Sequence, residues 1–125
     1  MTPHGLVLSD DLIFFSRIAG AARAAGLAVR QVRTPADLLA AVRQAPPGGV
    51  VLDLHNPGLD LAAVLTELRK VCPAMPRVTA YGSHVEAEVL RAARRAGCDC
   101  VLPRSQFVEE LERAIQEWLT PASAG

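Results

Sequence analysis

Short apolar runs alternate five times with segments of helical periodicity along this chain of 125 residues. The apolar runs cover residues 5–9, 27–32, 50–53, 77–81 and 99–103. Short apolar runs between turn signals are typical of strands buried in a parallel sheet. Because strands that alternate with helices form parallel sheets covered on both faces, the pattern predicts an α/β fold with a doubly wound, five-stranded parallel sheet. The length predicts a single domain over residues 1–125 with a core over residues 5–119.

The segments between the apolar runs carry signals for the starts of helices. Thr34, with Pro35 at the first helical position, is predicted to cap the second helix. Ser83 and Glu86 have the spacing of a capping box and predict that the fourth helix opens there, while Ser105 is predicted to cap the fifth. The residues predicted to form the apolar face of the first helix are Leu12, Phe15, Ile18 and Ala22.

Composition excludes several classes of function. The 13 basic and 13 acidic residues cancel, so there is no electrostatic reason to expect a nucleic acid or an anionic membrane as partner. No apolar run approaches the roughly 18 residues that span a bilayer, and the first residues lack the pattern of a secretory signal. The three cysteines are not spaced like a disulfide framework, which predicts a reduced, cytoplasmic setting.

Motifs for nucleotide binding and for hydrolytic catalysis are missing from the sequence. Residues 9–11 read Ser-Asp-Asp where a dinucleotide-binding fold would place a G-x-G-x-x-G turn, and no G-x-x-x-x-G-K-[ST] loop occurs. No Ser-His-Asp or Cys-His arrangement is recognisable. The sequence therefore predicts a protein that is not an enzyme.

Carboxylates follow the first and third predicted strands. Asp10 and Asp11 come after the first strand, and Asp53 ends the third. In a doubly wound sheet these strands are neighbours at the topological switch point, where ligands bind at the carboxyl ends of the strands. Clustered carboxylates repel one another, and a hard cation such as Mg²⁺ relieves that repulsion. The alternative is that Asp10 caps the first helix and Asp11 favours its positive end.

With these carboxylates in place, the sequence resembles the receiver domain of bacterial two-component response regulators from Gly5 to Leu119. The segments that carry the resemblance are residues 7–11 (VLSDD), 50–60 (VVLDLHNPGLD) and 96–105 (AGCDCVLPRS). The resemblance implies a flavodoxin-like (βα)5 fold with strand order 2-1-3-4-5. It also implies that Asp53 accepts a phosphoryl group from a histidine kinase or another phosphodonor. In that family Asp10, Asp11, Asp53 and the backbone carbonyl of His55 would hold Mg²⁺.

The end of the fifth strand departs from the family pattern. The family places a lysine there to neutralise the phosphoryl oxygens, and this sequence has Arg104. Arginine keeps the charge, but its planar fork is not equivalent to an ammonium group. The proline that usually follows the lysine is replaced by Ser105, and Pro103 stands on the other side.

The switch position at the end of the fourth strand departs as well. The family places threonine or serine there, and its hydroxyl follows the phosphoryl group. Counting forward along the fourth strand puts this site at Tyr81, and counting back from Arg104 puts it at Gly82. Neither residue has a small hydroxyl, although Ser83 or Thr79 could substitute. The usual coupling of phosphorylation to the surface is therefore in question.

Charged residues on the last two predicted helices suggest a partner surface. In receivers the face made by the fourth helix, the fifth strand and the fifth helix is the usual surface for a partner or for a homodimer. The residues that could pair across a two-fold axis are Arg91, Arg94, Arg95, Glu109 and Glu110. The alternative is that these charges only suit the helix dipoles, since exposed ion pairs contribute little.

The sequence thus predicts a receiver in phosphorelay signalling whose output is a protein–protein contact. The alternative is a phosphorylation-independent pseudo-receiver that acts as a protein-interaction module. A third hypothesis, a metal-dependent phosphatase of the haloacid-dehalogenase type, is weaker because residues 53–55 lack the D-x-D signature of that class.

Overall fold

A computed structural model describes residues 4–121, in which five strands alternate with five helices. The strands are β1 (Gly5–Leu8), β2 (Val29–Val32), β3 (Gly49–Asp53), β4 (Arg77–Gly82) and β5 (Cys100–Pro103). The helices are α1 (Leu12–Ala24), α2 (Pro35–Gln44), α3 (Leu61–Val71), α4 (Ala87–Ala96) and α5 (Arg104–Trp118). In the described residues, no helix combines the length and the apolar character needed to cross a membrane.

The five strands form one parallel sheet in the order β2-β1-β3-β4-β5, which confirms the predicted architecture and strand order. The register places Asp53 opposite Tyr81, and Gly82 opposite Pro103. All carboxyl ends therefore meet at one edge of the sheet. In such sheets ligand sites lie at that edge.

The sheet divides the hydrophobic core into two layers, and helices cover both of its faces. Leu38, Leu65 and Leu90, from α2, α3 and α4, pack against one face. On the other face α1 and α5 pack over an aromatic cluster, which consists of Phe14, Tyr81, Phe107 and Trp118. Each buried side chain of this size stabilises the fold by roughly 1.5–3 kcal/mol.

Two glycines allow the end of α5 to lie directly against the start of β3. A Cβ atom at Gly49 would collide with the backbone carbonyl oxygen of Trp118, and one at Gly48 would collide with that of Leu119. Because the collisions are with backbone, no side-chain movement could relieve them. The sequence signal of the paired glycines before β3 is therefore a packing requirement as well as a turn.

The predicted helix starts are partly correct. The Thr34 hydroxyl accepts a hydrogen bond from the backbone N–H of Asp37 at 3.0 Å, which confirms the cap of α2. The capping box at residues 83–86 is wrong, because α4 begins at Ala87 and the Ser83 hydroxyl instead accepts from Val85 within a turn. The cap at Ser105 is also wrong, because α5 already begins at Arg104.

The apolar face of α1 differs from the predicted one. The buried residues are Phe14, Ile18 and Ala22, whereas Leu12 is 55% exposed. Residues spaced by four lie in one row along a helix, and the row that contains Ile18 and Ala22 includes residue 14. The prediction placed Phe15 on this face, but Phe15 is only partly buried at its border.

Candidate functional site

A cavity of about 810 Å³ opens at the carboxyl edge of the sheet, between α1, the end of β4 and the start of α5. Its walls include Asp53, Tyr81 and Arg104, three of the residues singled out from the sequence. Asp11 also lines it, but Asp10 does not. The fold thus brings most of the predicted site together, with one acidic residue left outside.

Asp53 ends β3 as predicted and is almost buried, with 7% of its surface exposed. One carboxylate oxygen, Oδ1, accepts a hydrogen bond from the backbone N–H of His55 at 2.9 Å. The other, Oδ2, lies 3.4 Å from the Ser9 hydroxyl, which donates to it. Both oxygens of the candidate phosphoacceptor therefore already have protein donors.

Ser9 is a member of the site that sequence reasoning missed. It is fully buried and directly follows Leu8, which lies opposite Leu52 in the sheet. One step further along the two strands brings Ser9 beside Asp53. The signal was present in the sequence, because Ser9 is the polar residue that ends the first run, but the adjacent Asp10 and Asp11 were interpreted as the site instead.

Asp11 is engaged in two structural contacts. It is the N-cap of α1, where its Oδ1 accepts from the backbone N–H of Phe14 at 2.9 Å. Its Oδ2 accepts from the Arg104 guanidinium, also at 2.9 Å. The capping hydrogen bond, and after it Arg104, lower the pKa of this carboxyl from its usual value. The alternative considered from the sequence gave the cap to Asp10, but the cap is Asp11.

The carboxylates do not gather into a metal site of the predicted kind. Asp10 is exposed and forms no hydrogen bond or ion pair with any residue between 4 and 121. Over the same range, no group of three or more His, Cys, Asp or Glu side chains is placed to hold a metal ion. The physical reason is that Asp11 turns toward the helix it caps and toward Arg104. The residues present therefore do not fit the predicted three-carboxylate site for Mg²⁺.

Arg104, the residue predicted to replace the family's lysine, directly follows the end of β5. The strand ends at Pro103, and Arg104 is the first residue of α5. Its guanidinium lies over the Phe14 ring, 4.1 Å from the ring centroid, and pairs with Asp11. Asp11 and Phe14 therefore hold this cation at the start of α1, and no hydrogen bond joins it to Asp53 among the described contacts.

Tyr81 is one of the two residues predicted for the switch position, and Gly82 is the other. The register places it opposite Asp53 on one side and Leu102 on the other, so Gly82 lies one residue further on. Its ring is 1% exposed and packs between Phe14 and Phe107, at centroid distances of 4.8 and 4.7 Å. Burial raises the pKa of the phenol; the nearby Ser9 hydroxyl offsets part of this rise, and the Asp53 carboxylate raises the pKa further. The phenol oxygen has no hydrogen-bond partner among the described residues.

The hydroxyls that could have substituted at the switch form no hydrogen bond with Asp53 among residues 4–121. Thr79 is fully buried in the middle of β4, opposite Val51. Ser83 lies beyond the strand, and its backbone N–H donates to Nε2 of His55 at 3.3 Å. The His55 ring also lies 3.7 Å from the Glu86 carboxylate, so this ring links two loops at the rim of the cavity.

The charged residues of the predicted partner surface form contacts within their own part of the molecule. Arg91 pairs with Glu88, and Arg94 donates to the backbone carbonyl of Val101 at 3.1 Å. Glu110 pairs with Arg113 on the same helix at 2.8 Å. The remaining members of the set are Arg95, which lies 3.9 Å from Glu88, and the exposed Glu109. A role in binding a partner or a second copy stays a prediction.

Comparison with known proteins gives a match at the level of structure only, since no protein-family model and no curated protein sequence matches the chain. The chain is similar to the receiver domain of NtrX from Brucella abortus, with 26% identity and a TM-score of 0.78 over 92% of this chain and 97% of that domain. It covers 27% of the longer NtrX chain, so it spans about a quarter of that protein. A putative response regulator from Chloroflexus aurantiacus is 21% identical, with a TM-score of 0.78 over 94% of this chain and 98% of its own.

Proposed function

We propose that this chain, which has the fold of a response-regulator receiver domain, is a signalling module that acts through protein–protein contacts without phosphorylation of Asp53. Of the functions considered from the sequence, this corresponds to the pseudo-receiver. The receiver fold supports a place in two-component signalling. The arrangement of side chains around Asp53 supports independence from the phosphoryl group.

The observation that carries this proposal is the pairing of Arg104 with Asp11. Each partner was predicted to serve the phosphoryl group, Arg104 as its counter-ion and Asp11 as a ligand of its metal. At 2.9 Å, with the cation also stacked on Phe14, the two charges compensate one another. Either residue could serve a phosphoryl group on Asp53 only if the ion pair between Asp11 and Arg104 were broken.

Tyr81 supports the same proposal from the other side of the cavity. A small hydroxyl at its position could follow a phosphoryl group into the site, but a phenol packed between Phe14 and Phe107 is held in place by both rings. Interiors are close-packed, so moving this ring would disturb the packing of α1 against α5. A switch of the usual kind therefore lacks the small hydroxyl side chain that would move toward the phosphoryl group.

A labelling experiment tests the proposal. The wild type and Asp53→Asn would be incubated with acetyl phosphate and Mg²⁺, and intact mass spectrometry would count phosphoryl groups. A receiver with a complete acidic cluster would serve as positive control. We expect no label that depends on Asp53. Stoichiometric label in the wild type that Asp53→Asn abolishes would overturn the proposal.

The second candidate function is the phosphoacceptor itself, in which a histidine kinase or a small phosphodonor modifies Asp53. It is favoured by the position of Asp53 at the end of β3, in the wall of an open cavity. Mg²⁺ would then have to be held by Asp10, Asp53 and the His55 carbonyl, without Asp11. The labelling experiment separates the two candidates.

We infer that the partner surface is the face of α4, β5 and α5, in a cytoplasmic setting. Val89 of α4 is 37% exposed and lies in the sequence between Glu88 and Arg91, which pair with each other. If the partner is a second copy, sedimentation velocity should show a dimer that Arg91→Glu together with Arg95→Glu dissociates. A monomer at all concentrations would exclude the homodimer and leave a different protein as the partner.

A further inference from the structure

We propose that the open edge of β2 binds an extended, acidic segment of another protein, which adds to the sheet as a further strand. β2 stands at one end of the strand order and β5 at the other. This surface is therefore at the opposite edge of the sheet from the face of α4, β5 and α5. It goes beyond the proposed function and can be tested separately from it.

β2 leaves backbone donors and acceptors free at this edge. The carbonyls of Ala28 and Val32 accept hydrogen bonds, at 2.8 and 3.0 Å, from the backbone at the two ends of β1, so they face that strand. Successive residues of a strand direct their backbone groups to opposite sides. The N–H and C=O groups of Val29 and Gln31 therefore point away from β1, which is the one neighbour of β2 among the described residues. Unpaired groups of this kind can form hydrogen bonds with another chain.

The other edge of the sheet is protected, and this one is not. At β5 the Arg94 side chain donates to the backbone carbonyl of Val101 at 3.1 Å, and Pro103 has no backbone N–H to offer. Side chains and prolines placed in this way keep foreign strands from adding to an edge. No side chain between residues 4 and 121 covers the backbone of Val29 or Gln31 by a hydrogen bond.

Arginines give the region around β2 a positive charge. Residues 12–36 contain four arginines and no Asp or Glu, although the whole chain has equal numbers of both signs. The four are Arg17, Arg23, Arg30 and Arg33, and none forms an ion pair with a residue between 4 and 121. Complementary charge steers partners and suppresses wrong ones. The edge therefore favours a partner with acidic side chains.

A groove beside β2 has room for the side chains of an added strand. It measures about 380 Å³ and lies between β2 and α2, with Arg30 and Arg33 both in its lining. Ala40 and Ala41 of α2 form part of the far wall, and their small side chains keep it open. Asp37 is the one carboxylate of the lining, so the two arginines outnumber it.

The two faces of β2 specify the pattern of the partner. Because side chains alternate along a strand, Arg30 lies on the same face as Val32, which packs in the layer under α2. Val29 lies on the other face and packs against the layer under α1. Side chains of neighbouring strands that share a face pair with one another. The partner segment should therefore alternate acidic residues, on the Arg30 face, with apolar residues, on the Val29 face.

A second copy of this chain fits the edge poorly. Two β2 strands related by a two-fold axis would pair through Val29 and Gln31, which brings the Arg30 side chains of both copies together. Like charges opposite one another destabilise a sheet. The β5 edge of a second copy is closed by Arg94 and Pro103. Charge and edge protection therefore favour a different protein as the partner.

The peptide acetyl-TEVEVEVT-amide is the probe, added to the whole ¹⁵N-labelled chain. We expect saturable binding and slower hydrogen exchange at the outward amides of Val29 and Gln31. Arg30→Glu should weaken binding by at least roughly tenfold, because it places a carboxylate beside the glutamates of the peptide. Arg95→Glu, the same charge change on α4, is the matched control and should bind like the wild type.

Two further peptides separate strand addition from simple attraction between charges. A peptide with lysine in place of each glutamate should not bind. The acidic peptide methylated at every backbone nitrogen keeps its charge but cannot donate backbone hydrogen bonds, so it should bind at least roughly tenfold more weakly. Equal binding by either peptide and by the acidic probe would overturn the proposal.

Other outcomes also count against it. The proposal is wrong if the acidic peptide does not saturate, if exchange at Val29 and Gln31 is unchanged at saturation, or if Arg95→Glu weakens binding as much as Arg30→Glu. Tighter binding of oligothymidylate than of the peptide would assign the edge to a nucleic acid. Protection of the same two amides that grows with the concentration of the free protein would assign it to a second copy. Either result would overturn the proposal. Label on Asp53 in the acetyl phosphate experiment would overturn the proposed function and leave this inference intact.

Discussion

Replacing Tyr81 by phenylalanine should stabilise the protein, although it removes a polar group from beside the candidate site. The phenol is buried, and its oxygen has no partner among residues 4–121. The variant keeps the ring between Phe14 and Phe107 and deletes only the hydroxyl. The hydroxyl forms no hydrogen bond among residues 4–121, although Ser9 and Asp53 lie near it, so the change removes a desolvated polar group from the core.

The size of the effect follows from the cost of an unsatisfied buried group, which is about 1–3 kcal/mol. We expect a gain of about 1 kcal/mol, at the low end, because Ser9 and Asp53 lie close enough to influence the phenol. A second contribution appears at high pH. Since burial raises the pKa of Tyr81 above its ordinary 10.0, the folded state resists ionisation. The stability that the neutral phenol contributes should therefore be fully present below pH 10, and the free energy of unfolding should fall by up to about 1.4 kcal/mol per pH unit above it.

Urea unfolding at neutral pH measures the first contribution, and the same experiment above pH 10 measures the second. Tyr81 is the single tyrosine of the chain, so tyrosinate absorbance reports its ionisation directly. In the wild type this signal should appear only with unfolding. Tyr81→Phe should lack the alkaline loss that Tyr81 causes. A variant at least 1 kcal/mol less stable than the wild type would refute the reasoning, because it would mean that the hydroxyl donates to Ser9 or Asp53.

Three further outcomes are expected. Gly97→Ala should lower the free energy of unfolding in urea by about 1–2 kcal/mol, because the φ of Gly97 is +112° and an added Cβ would lie 2.7 Å from the Arg69 guanidinium. Gly20→Ala, in open space within α1, should instead raise it by up to about 1 kcal/mol. Equal effects of the two variants would contradict this prediction. Arg104→Ala should raise the pKa of Asp11 toward its ordinary value in a ¹³C NMR titration, but not fully, because the capping hydrogen bond remains. An unchanged pKa of Asp11 would show that the ion pair is absent in solution. Millimolar Mg²⁺ should leave the thermal midpoint unchanged, and a saturable rise would reveal a metal site.

The helix starts show where local patterns are sufficient and where they are not. The local sequence was sufficient to predict the cap at Thr34, because the capping hydrogen bond joins its hydroxyl to a backbone N–H only three residues away. The same logic was wrong at Ser83, since the backbone N–H of that residue is taken by His55 from another loop. Whether a serine caps a helix or belongs to a turn depended on a contact that its own sequence neighbourhood does not contain.

The sequence by itself determined the five strands, the parallel sheet and the position of Asp53 at a strand end, because these follow from apolar runs and turn signals within a few residues of one another. The tertiary structure alone decided the chemistry around Asp53. It joined Arg104 to Asp11 across 93 positions of sequence and Ser9 to Asp53 across 44. The physical reason is that strand formation depends on local periodicity, whereas the partner of a side chain depends on which distant residue the completed fold brings within hydrogen-bond distance.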